Sequence, residues 1–381
     1  MKEGWTYKKL GEIADIKGGK RLPKGVKLLT TPTKHPYIRV ADFNDFGTID
    51  TDDIHYISDS VFEQIKRYII NKEDVYISIA GTIGKSGIIP DFLDGANLTE
   101  NACRLILSNN IYQRYVYYFT ISPSFIKQID ERTKKSAQPK LALTRLSDVI
   151  ISYPTIKEQQ SIVDFLDSAF AKIDAIKANA EKALNEAKAL FQASLKEMLE
   201  PKEGWEEKTL PEISENLDSI RKPVTKGKRT SGVYPYYGAS GIVDYVDAYL
   251  FDEDLLCISE DGANLLMRTY PIAFPISGKV WVNNHAHVLR FKSIITQNYV
   301  EYYFSGMKLD DYITGAAQPK LTQKALNSII INLPSTLDDQ QQIVDTLDSL
   351  KSKVDRLQEN FDKISQECDA LKQAILRQVF E

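Results

Sequence analysis

The chain has 381 residues, of which 43% are hydrophobic and 26% are charged, and its formal net charge at pH 7 is -4. This composition is typical of globular proteins that bury sizeable cores, and it excludes a chain that is disordered throughout. No apolar run approaches the roughly 18 residues of a membrane span, and the first residues do not resemble a signal peptide, so we expect a cytoplasmic protein.

The chain repeats itself. The pentapeptide Ala-Gln-Pro-Lys-Leu occurs at 137–141 and again at 317–321, and Lys-Glu-Gly-Trp occurs at 2–5 and 202–205. A solenoid repeat has a period of only about 20 to 50 residues, whereas this unit has the size of a whole domain with an appendage. The sequence therefore predicts a tandem duplication with two independent cores.

Each copy begins with a globular stretch, predicted to be an α+β domain, at 1–154 and at 201–334. Each domain is expected to contain a buried strand that leads to a glycine, at 74–79 before Gly81 and at 254–259 before Gly262. Each also contains an aromatic-rich run that favours a short helix and is compatible with a strand, at 115–119 and at 299–303.

A long helix is predicted after each globular stretch, at 155–200 and at 335–381. Thr155 with Glu158, and Thr336 with Asp339, have the spacing of a capping box. Apolar residues then recur at alternating intervals of four and three, which is typical of a coiled-coil seam. The residues predicted to form the core of this seam are Ile162, Leu166, Ile173, Ile176, Leu190, Ile343, Leu347, Leu350, Val354, Leu357, Ile364, Leu371 and Ile375.

The first helix is rich in alanine where the second carries larger side chains, so the two complement each other. We prefer antiparallel pairing of the two helices within the chain, and pairing between molecules is the alternative. The predicted fold is thus two similar globular domains separated by a pair of long antiparallel coiled-coil helices, with approximate twofold symmetry.

This order of elements resembles the specificity subunits of type I restriction-modification enzymes over essentially the whole chain. The phrases that carry the resemblance are Lys2 to Trp5 before Leu10 to Ile13, Ala137 to Leu141, and Glu158 to Val163. The second helix departs from the first in having Asp339 where the first has Glu158, with one extra residue nearby.

The resemblance implies that each globular domain is a target recognition domain that reads one half of a split double-stranded DNA sequence. It implies that the helices set the spacing and dock two methyltransferase subunits, with restriction and translocation subunits as further possible partners. It also implies that this chain is not an enzyme. S-adenosylmethionine, ATP and Mg²⁺ would be used by the partner subunits, and no cofactor or metal is expected in this chain.

Candidate DNA contacts lie in loops rich in basic or short polar side chains. Lys and Arg can pair with phosphates or with guanine, Asn can pair with adenine, and carboxylates can accept from cytosine. In the first domain the candidates are Lys20, Arg21, Lys24, Thr82, Lys85, Asn101, Gln138 and Lys140. In the second domain they are Lys228, Arg229, Ser259, Glu260, Asn264, Arg268, Asn283, Asn284, His285, His287, Gln318 and Lys320.

For each of these loops the structural alternative is an ordinary solvated turn. In the repeated pentapeptide, the proline is expected to fix a turn between globular domain and helix. The loop before Cys103 in the first domain aligns with the loop before His287 in the second, but the polar residues of the two loops differ. Such a difference is expected for domains that read different half-sites or that drifted after duplication.

Other chemistries fit poorly. A phosphate-binding loop needs a glycine five positions before the Gly84-Lys85 pair, and that position is Ile79. His285 and His287 would share one face of a strand, but no third metal ligand is evident from the sequence. The alternatives that stay open are a DNA reader of a methylation-only or other phage-defence system, and a coiled-coil adaptor that binds proteins without DNA.

Overall fold

The computed structural model describes residues 3–133, 139–315 and 318–381. The chain forms two compact units, of which unit 1 comprises Met1–Asn179 with Lys363–Glu381 and unit 2 comprises Ala180–Asp362. Each unit therefore contains one globular part, the beginning of one long helix and the end of the other.

The globular part of unit 1 mixes short strands and helices, with ranges as follows. The strands are β1 Thr6–Lys9, β2 Ala14–Gly18, β3 Pro36–Ile38, β4 His55–Tyr56, β5 Ile69–Ile70, β6 Val75–Ser78, β7 Ser86–Gly87, β8 Ala96–Leu98, β9 Ala102–Leu107 and β10 Ile150–Tyr153. The helices are α1 Leu10–Ile13, α2 Asp59–Ile65, α3 Gln113–Thr120, α4 Pro123–Arg132 and α5 Leu143–Ser147, followed by the long α6 Ile156–Met198.

Unit 2 repeats this plan. Its strands are β11 Glu206–Thr209, β12 Ser214–Asn216, β13 Ser231–Gly238, β14 Gly241–Val246, β15 Phe251–Asp252, β16 Leu255–Ser259, β17 Ala273–Ile276, β18 Lys279–Val282, β19 Ala286–Phe291, β20 Ile313–Thr314, β21 Lys320–Leu321 and β22 Ile330–Leu333. Its helices are α7 Leu210–Ile213, α8 Asn264–Met267, α9 Ile294–Gly306 and α10 Gln323–Asn327, followed by the long α11 Leu337–Phe380.

The sheets correspond strand by strand. One four-stranded sheet has the order β2-β9-β6-β7 in unit 1 and β12-β19-β16-β17 in unit 2. A second has the order β4-β3-β8-β5 and β14-β13-β18-β15, with the same parallel pair at its centre. The buried strands and aromatic-rich helices predicted from the sequence are β6, β16, α3 and α9, so the predicted duplication and α+β class are confirmed.

The predicted capping box of α6 has both of its backbone bonds, and that of α11 has one of them. Thr155 N donates to Glu158 Oε2 at 3.1 Å, and the backbone N–H of Glu158 donates to Thr155 Oγ1 at 3.4 Å. In the second copy, Asp339 N donates to Thr336 Oγ1 at 3.1 Å. These bonds satisfy amides that a helix start leaves without partners, which fixes where α6 and α11 begin.

The two long helices pair antiparallel in each unit. In unit 1, Lys372 Nζ lies 2.5 Å from Asp174 and Lys177 Nζ lies 3.3 Å from Asp369, so the numbering rises along one helix as it falls along the other. In unit 2, Lys188 Nζ donates to Gln358 Oε1 at 2.8 Å. The predicted pairing within the chain is therefore confirmed, whereas the division at 154, 200 and 334 stays a prediction.

On α6 the predicted seam is correct at Ile162, Leu166 and Ile173 and wrong at Ile176 and Leu190. Leu166 and Ile173 are buried, but Ile176 and Leu190 are 55% and 59% exposed, and Leu371 on α11 is 50% exposed. The helix turns Phe170 and Phe191 inward instead. The reason is tertiary, because Phe170 packs edge-on against Tyr118 of α3 at 5.5 Å between ring centroids, which rotates the buried face toward the globular part.

The other predicted seam residues lie at least partly buried. They are Ile162, Ile343, Leu347, Leu350, Val354, Leu357, Ile364 and Ile375. The seam on α11 thus follows the sequence pattern more closely than the seam on α6.

The sequence suggested that the repeated pentapeptide forms a turn between the globular part and the long helix. The structure shows that it does not. Its described residues cross the end of the central strand, which is β6 in unit 1 and β16 in unit 2. There, Leu141 N donates to Ile79 O at 2.9 Å and Leu321 N donates to Glu260 O at 2.8 Å. Both leucines are fully buried. The chain reaches the long helix only after a further short helix and strand.

Candidate nucleic-acid interface

The candidate site in each unit lies where the central strand ends, at a position we call the strand-end edge. In unit 1 this edge comprises residues 79–82, 99–101 and 139–141, and in unit 2 it comprises residues 260–262, 283–285 and 319–321. Backbone bridges join Ala80 to Lys140 and Asp261 to Lys320, so the same lysine of the repeated pentapeptide stands at the edge in both units. Both lysines are exposed.

Glycine makes the same turn at both edges. Gly81 has φ +77° and Gly262 has φ +103°, a region that side-chain-bearing residues rarely adopt. The chain can therefore leave the strand abruptly and bring the loop beside the pentapeptide, where Gly262 N donates to Pro319 O at 3.0 Å.

A network of charged side chains underlies the edge of unit 2. Arg221 contacts Glu260 at 2.6 Å and Asp218 at 3.1 Å, and Lys320 Nζ lies 3.1 Å from Glu260. His287 Nδ1 lies 2.5 Å from Asp218, and its Nε2 lies 2.8 Å from the carbonyl of Leu321. The imidazole thus has an oxygen atom within hydrogen-bond distance of each ring nitrogen.

Burial and pairing oppose each other at the two carboxylates. Burial by itself would raise the pKa of Asp218, but hydrogen bonds from His287 and from Val288 N, together with the charge of Arg221, lower it below its usual value. The pKa of Glu260 is likewise lowered, because Arg221, His287 and Lys320 outweigh the effect of burial. Both groups are held as carboxylates at neutral pH.

Unit 1 has the same framework without this network. Strand pairing places Gly18 opposite Cys103 at the position where unit 2 has Asp218 beside His287. Arg21 has the place of Arg221, yet its side chain is 79% exposed, whereas that of Arg221 is 11% exposed. The guanidinium of Arg21 donates to Glu100 at 2.6 Å and otherwise faces solvent.

The structure brings most of the unit 1 candidates to one region. Lys20 and Lys24 are exposed beside Arg21, and Thr82 is exposed and Asn101 half-buried at the strand-end edge. Lys85 differs, because its Nζ is paired with Asp45 at 2.9 Å. Gln138 lies outside the described residues.

The unit 2 candidates divide into exposed and buried groups. Those exposed at the edge are Asn284, His285 and Lys320. Gln318 is exposed just before the edge in the chain, and Lys228 is exposed on a separate loop. Ser259, Glu260, Asn283 and His287 are buried, in contrast to the solvent-facing polar loops that the sequence suggested. They support the edge from below.

Three further candidates are engaged in holding loops. Arg229 is paired with Asp244 at 3.0 Å and covers the ring of Tyr236 at 4.2 Å. Asn264 and Arg268 hydrogen-bond backbone groups of unit 2.

The sequence reasoning missed the residues that organise the edge. Asp218 and Arg221 were not among its candidates, nor was Asp261, which pairs with His285 Nδ1 at 2.8 Å. One signal could have found Arg221, because it stands 200 positions after Arg21 in a chain whose opening phrase repeats at the same offset.

Comparison with known proteins decides the family. The model of the type I restriction modification DNA specificity domain matches residues 2–186 and again residues 202–366. The chain belongs to this family. The two matched copies of the specificity domain coincide with the duplication, and each contains one strand-end edge.

Similar curated proteins carry the same description. A Haemophilus influenzae protein named as a type I restriction enzyme specificity subunit is 37% identical over 157 residues, which are 41% of this chain and 40% of that protein. The EcoBI specificity subunit of Escherichia coli is 29% identical over 159 residues, or 42% of this chain and 33% of that protein. The matched part is thus less than half the length of these relatives.

Solved structures share the fold of this specificity-domain chain. A chain from a study of complex assembly and conformational transition of the type I R-M system matches with a TM-score of 0.80 at 16% identity, covering 100% of this chain and 98% of that chain. The HsdS subunit from Thermoanaerobacter tengcongensis matches with a TM-score of 0.59 at 17% identity, covering 100% and 97%. Among the described residues, no helix has the length and hydropathy needed to span a membrane.

One group of possible metal ligands occurs in the described part of this specificity-domain chain, formed by Asp218, Glu260 and His287. Arg221 already contacts both carboxylates, and Lys320 contacts Glu260. These cations supply the positive charge that the carboxylates need, so the donor set fits an ion-pair network better than a metal site.

Proposed function

We propose that this chain is the non-catalytic specificity subunit of a type I restriction-modification complex, and that each unit binds one half of a bipartite double-stranded DNA target in the cytoplasm. The observation that carries the proposal is the pair of strand-end edges, which share a backbone and an exposed lysine but differ in other side chains. Unit 1 has Glu100 and Asn101 where unit 2 has Asn284 and His285. Two readers of different half-sites need a common frame with different contacts.

The exposed cations at each edge support DNA as the ligand. In unit 1, Arg21 and Lys140 face solvent, and in unit 2, Lys320 does so while its acidic partner Glu260 is more buried. Positive groups that point outward can pair with phosphates or base edges. The membership of a family of DNA specificity domains supports the same ligand.

The long helices support docking of partner subunits. Phe165 and Ile176 on α6 are 57% and 55% exposed and stand three helical turns apart, on one face outside the seam. Large apolar side chains in a row on a helix surface are typical of protein contacts. We propose that two methyltransferase subunits dock on the helices, and that S-adenosylmethionine, ATP and Mg²⁺ serve methyltransferase and restriction subunits.

Long-read mapping of methylated bases tests this function. Cells that carry this gene and its methyltransferase partner are compared with cells from which this gene alone is deleted. We expect a split motif with a fixed gap to lose its methylation on deletion, and exchange of residues 201–334 for those of a related protein to change one half only.

Unchanged methylation with an active methyltransferase would contradict the proposal and would favour a protein adaptor. Loss of the split motif in cells without a cleaving subunit would identify a methylation-only system. The second result keeps the DNA-reading function and changes only the partners.

A further inference from the structure

The loop between β16 and β17 sets unit 2 apart from unit 1. In unit 1, β6 and β7 are joined by the seven residues 79–85, whereas in unit 2 the thirteen residues 260–272 join β16 and β17 and include the short helix α8. The longer loop begins at the strand-end edge, directly after Ser259. The additional residues therefore follow directly in the chain on the strand-end edge of unit 2.

This longer loop is held firmly at its base. Arg268 adopts a left-handed conformation with φ +49°, which is unfavourable for a residue with a side chain. Its guanidinium donates to the carbonyls of Phe304, at 3.1 Å, and of Met307. Leu265 and Ile272 are buried in the core of unit 2 and anchor the middle and the end of the loop.

A side-chain clamp closes the loop from within. Asn264 Nδ2 donates to Tyr270 O at 3.1 Å, and Tyr270 N donates to Asn264 Oδ1 at 2.8 Å. These bonds use the backbone of Tyr270 and leave its ring in solvent.

Three large apolar side chains project from this rigid base. Leu266, Met267 and Tyr270 are 53%, 73% and 59% exposed. The loop of unit 1 has no such group, because Ile79 is buried and Ile83 packs against the core. Exposure of three apolar groups costs solvation free energy, and their rigid support indicates a binding role.

The charges at the strand-end edge, where this loop begins, favour a polyanion. Lys320 and His285 are each 48% exposed, whereas their partners Glu260 and Asp261 are 11% and 16% exposed. The edge thus presents the Lys320 ammonium and the His285 ring to solvent and hides the carboxylates. Proteins that bend DNA commonly combine such cations with apolar side chains that enter between base pairs.

We propose that Leu266, Met267 and Tyr270 form an apolar wedge that unit 2 inserts between bases of its DNA half-site. The inference rests on the proposed function, and it adds that unit 2 reads its half-site partly through the ease with which a base step opens. Unit 1 reads its half-site without such a wedge. Base steps that unstack easily are then favoured in one half-site only.

The test uses the full-length chain and duplex DNA that carries the motif found by methylation mapping. The half read by unit 2 is assigned by the domain exchange described above. A fluorescent base analogue, 2-aminopurine, replaces adenines in either half, away from the methylated adenine so that base flipping by a methyltransferase does not contribute. The variants are Tyr270→Ala, Tyr270→Phe and the double change Leu266→Ser with Met267→Ser.

Binding of the wild-type chain is expected to raise the fluorescence in the half read by unit 2 and not in the other half. Tyr270→Ala should weaken binding about tenfold, as expected for loss of one base-stacking contact, while Tyr270→Phe retains binding. The slope of affinity against salt should not change, because no cation is removed. Ile294→Ala, which alters an apolar group of unit 2 that is also 52% exposed, serves as the matched control.

Equal fluorescence in both halves, or equal affinity of Tyr270→Ala and the wild-type chain, would overturn the wedge while leaving DNA reading intact. Loss of methyltransferase binding by the wedge variants with unchanged DNA affinity would assign the surface to a protein partner and overturn it as well. A wild-type chain that does not bind the motif at all would overturn the proposed function itself.

Discussion

Gln340 is buried at the start of α11, and its Nε2 donates to the carbonyl of Pro334 at 2.9 Å. Its Oε1 accepts from Thr296 Oγ1 at 2.7 Å, so both ends of the amide are used. In unit 1, Gln159 Nε2 donates to the carbonyl of Pro154 at 3.0 Å in the same way. The Gln-Gln phrase recurs because one of its glutamines ties each long helix to its globular part.

Replacement of Gln340 by Ala should destabilise unit 2 by about 1 to 3 kcal/mol, because the carbonyl of Pro334 and the hydroxyl of Thr296 would be buried without their partner. Urea unfolding of the purified chain measures the effect. Gln342→Ala is the control, since Gln342 is exposed and its loss should change stability by less than about 0.5 kcal/mol. Similar losses for both variants would contradict the anchoring role.

Neighbouring residues on α6 should differ sharply in their effect on stability. Leu166 is fully buried, so Leu166→Ala should cost about 2 to 5 kcal/mol in lost burial and cavity formation. Phe165 is 57% exposed, and Phe165→Ala should change the free energy of unfolding by less than about 0.5 kcal/mol. Binding of the methyltransferase subunits, measured by co-purification, should be weakened more by Phe165→Ala than by Leu166→Ala.

Substitution of the two equivalent arginines, Arg21 and Arg221, should cause defects in different assays. Arg21→Ala should leave unfolding unchanged and weaken DNA binding, with the slope of log affinity against log salt reduced by about one if a phosphate contact is lost. Arg221→Ala removes a buried partner of Asp218 and Glu260 and should destabilise unit 2 by about 3 to 5 kcal/mol. A stable Arg221→Ala variant would show that Lys320 and His287 suffice to balance these carboxylates.

Acid should destabilise unit 2 through the network at its edge. The pKa values of Asp218 and Glu260 are lowered in the folded chain, so the stability they contribute is present above their unfolded values of about 4 and is lost as pH falls through the folded values. Hydrogen exchange followed by mass spectrometry between pH 6 and 3 separates the two units, after correction for the intrinsic exchange rate.

Glu260→Gln provides the control for this pH dependence. It removes one titrating carboxylate, so the loss of protection in β16 and β19 on acidification should be smaller than in the wild-type chain. An unchanged acid profile would assign the effect to other carboxylates of unit 2.

The duplication, the α+β class, the two long helices and their capping boxes could all be predicted from the sequence, because each rests on local patterns or on repetition. Thr155 with Glu158 predicts the start of a helix, whatever the helix packs against in the folded chain. The strands β6 and β16 could be predicted for the same reason, since a short apolar run before a glycine is a local signal. The exposed candidates Arg21, His285 and Lys320 were found because loops rich in basic and polar residues tend to lie at the surface.

The exposure of Ile176 and Leu190 on α6 was decided only by the tertiary structure. Their spacing fits the helical pattern, but the helix packs Phe170 against Tyr118 of α3 and Phe191 against the core of unit 2. The network of Asp218, Arg221, Glu260 and His287 was likewise hidden, because its members are scattered over about 70 positions of sequence and meet only when β12, β16 and β19 pair. Spacing along the chain determines which side chains share one face of a helix or strand. Long-range pairing of strands determines which charged side chains come into contact.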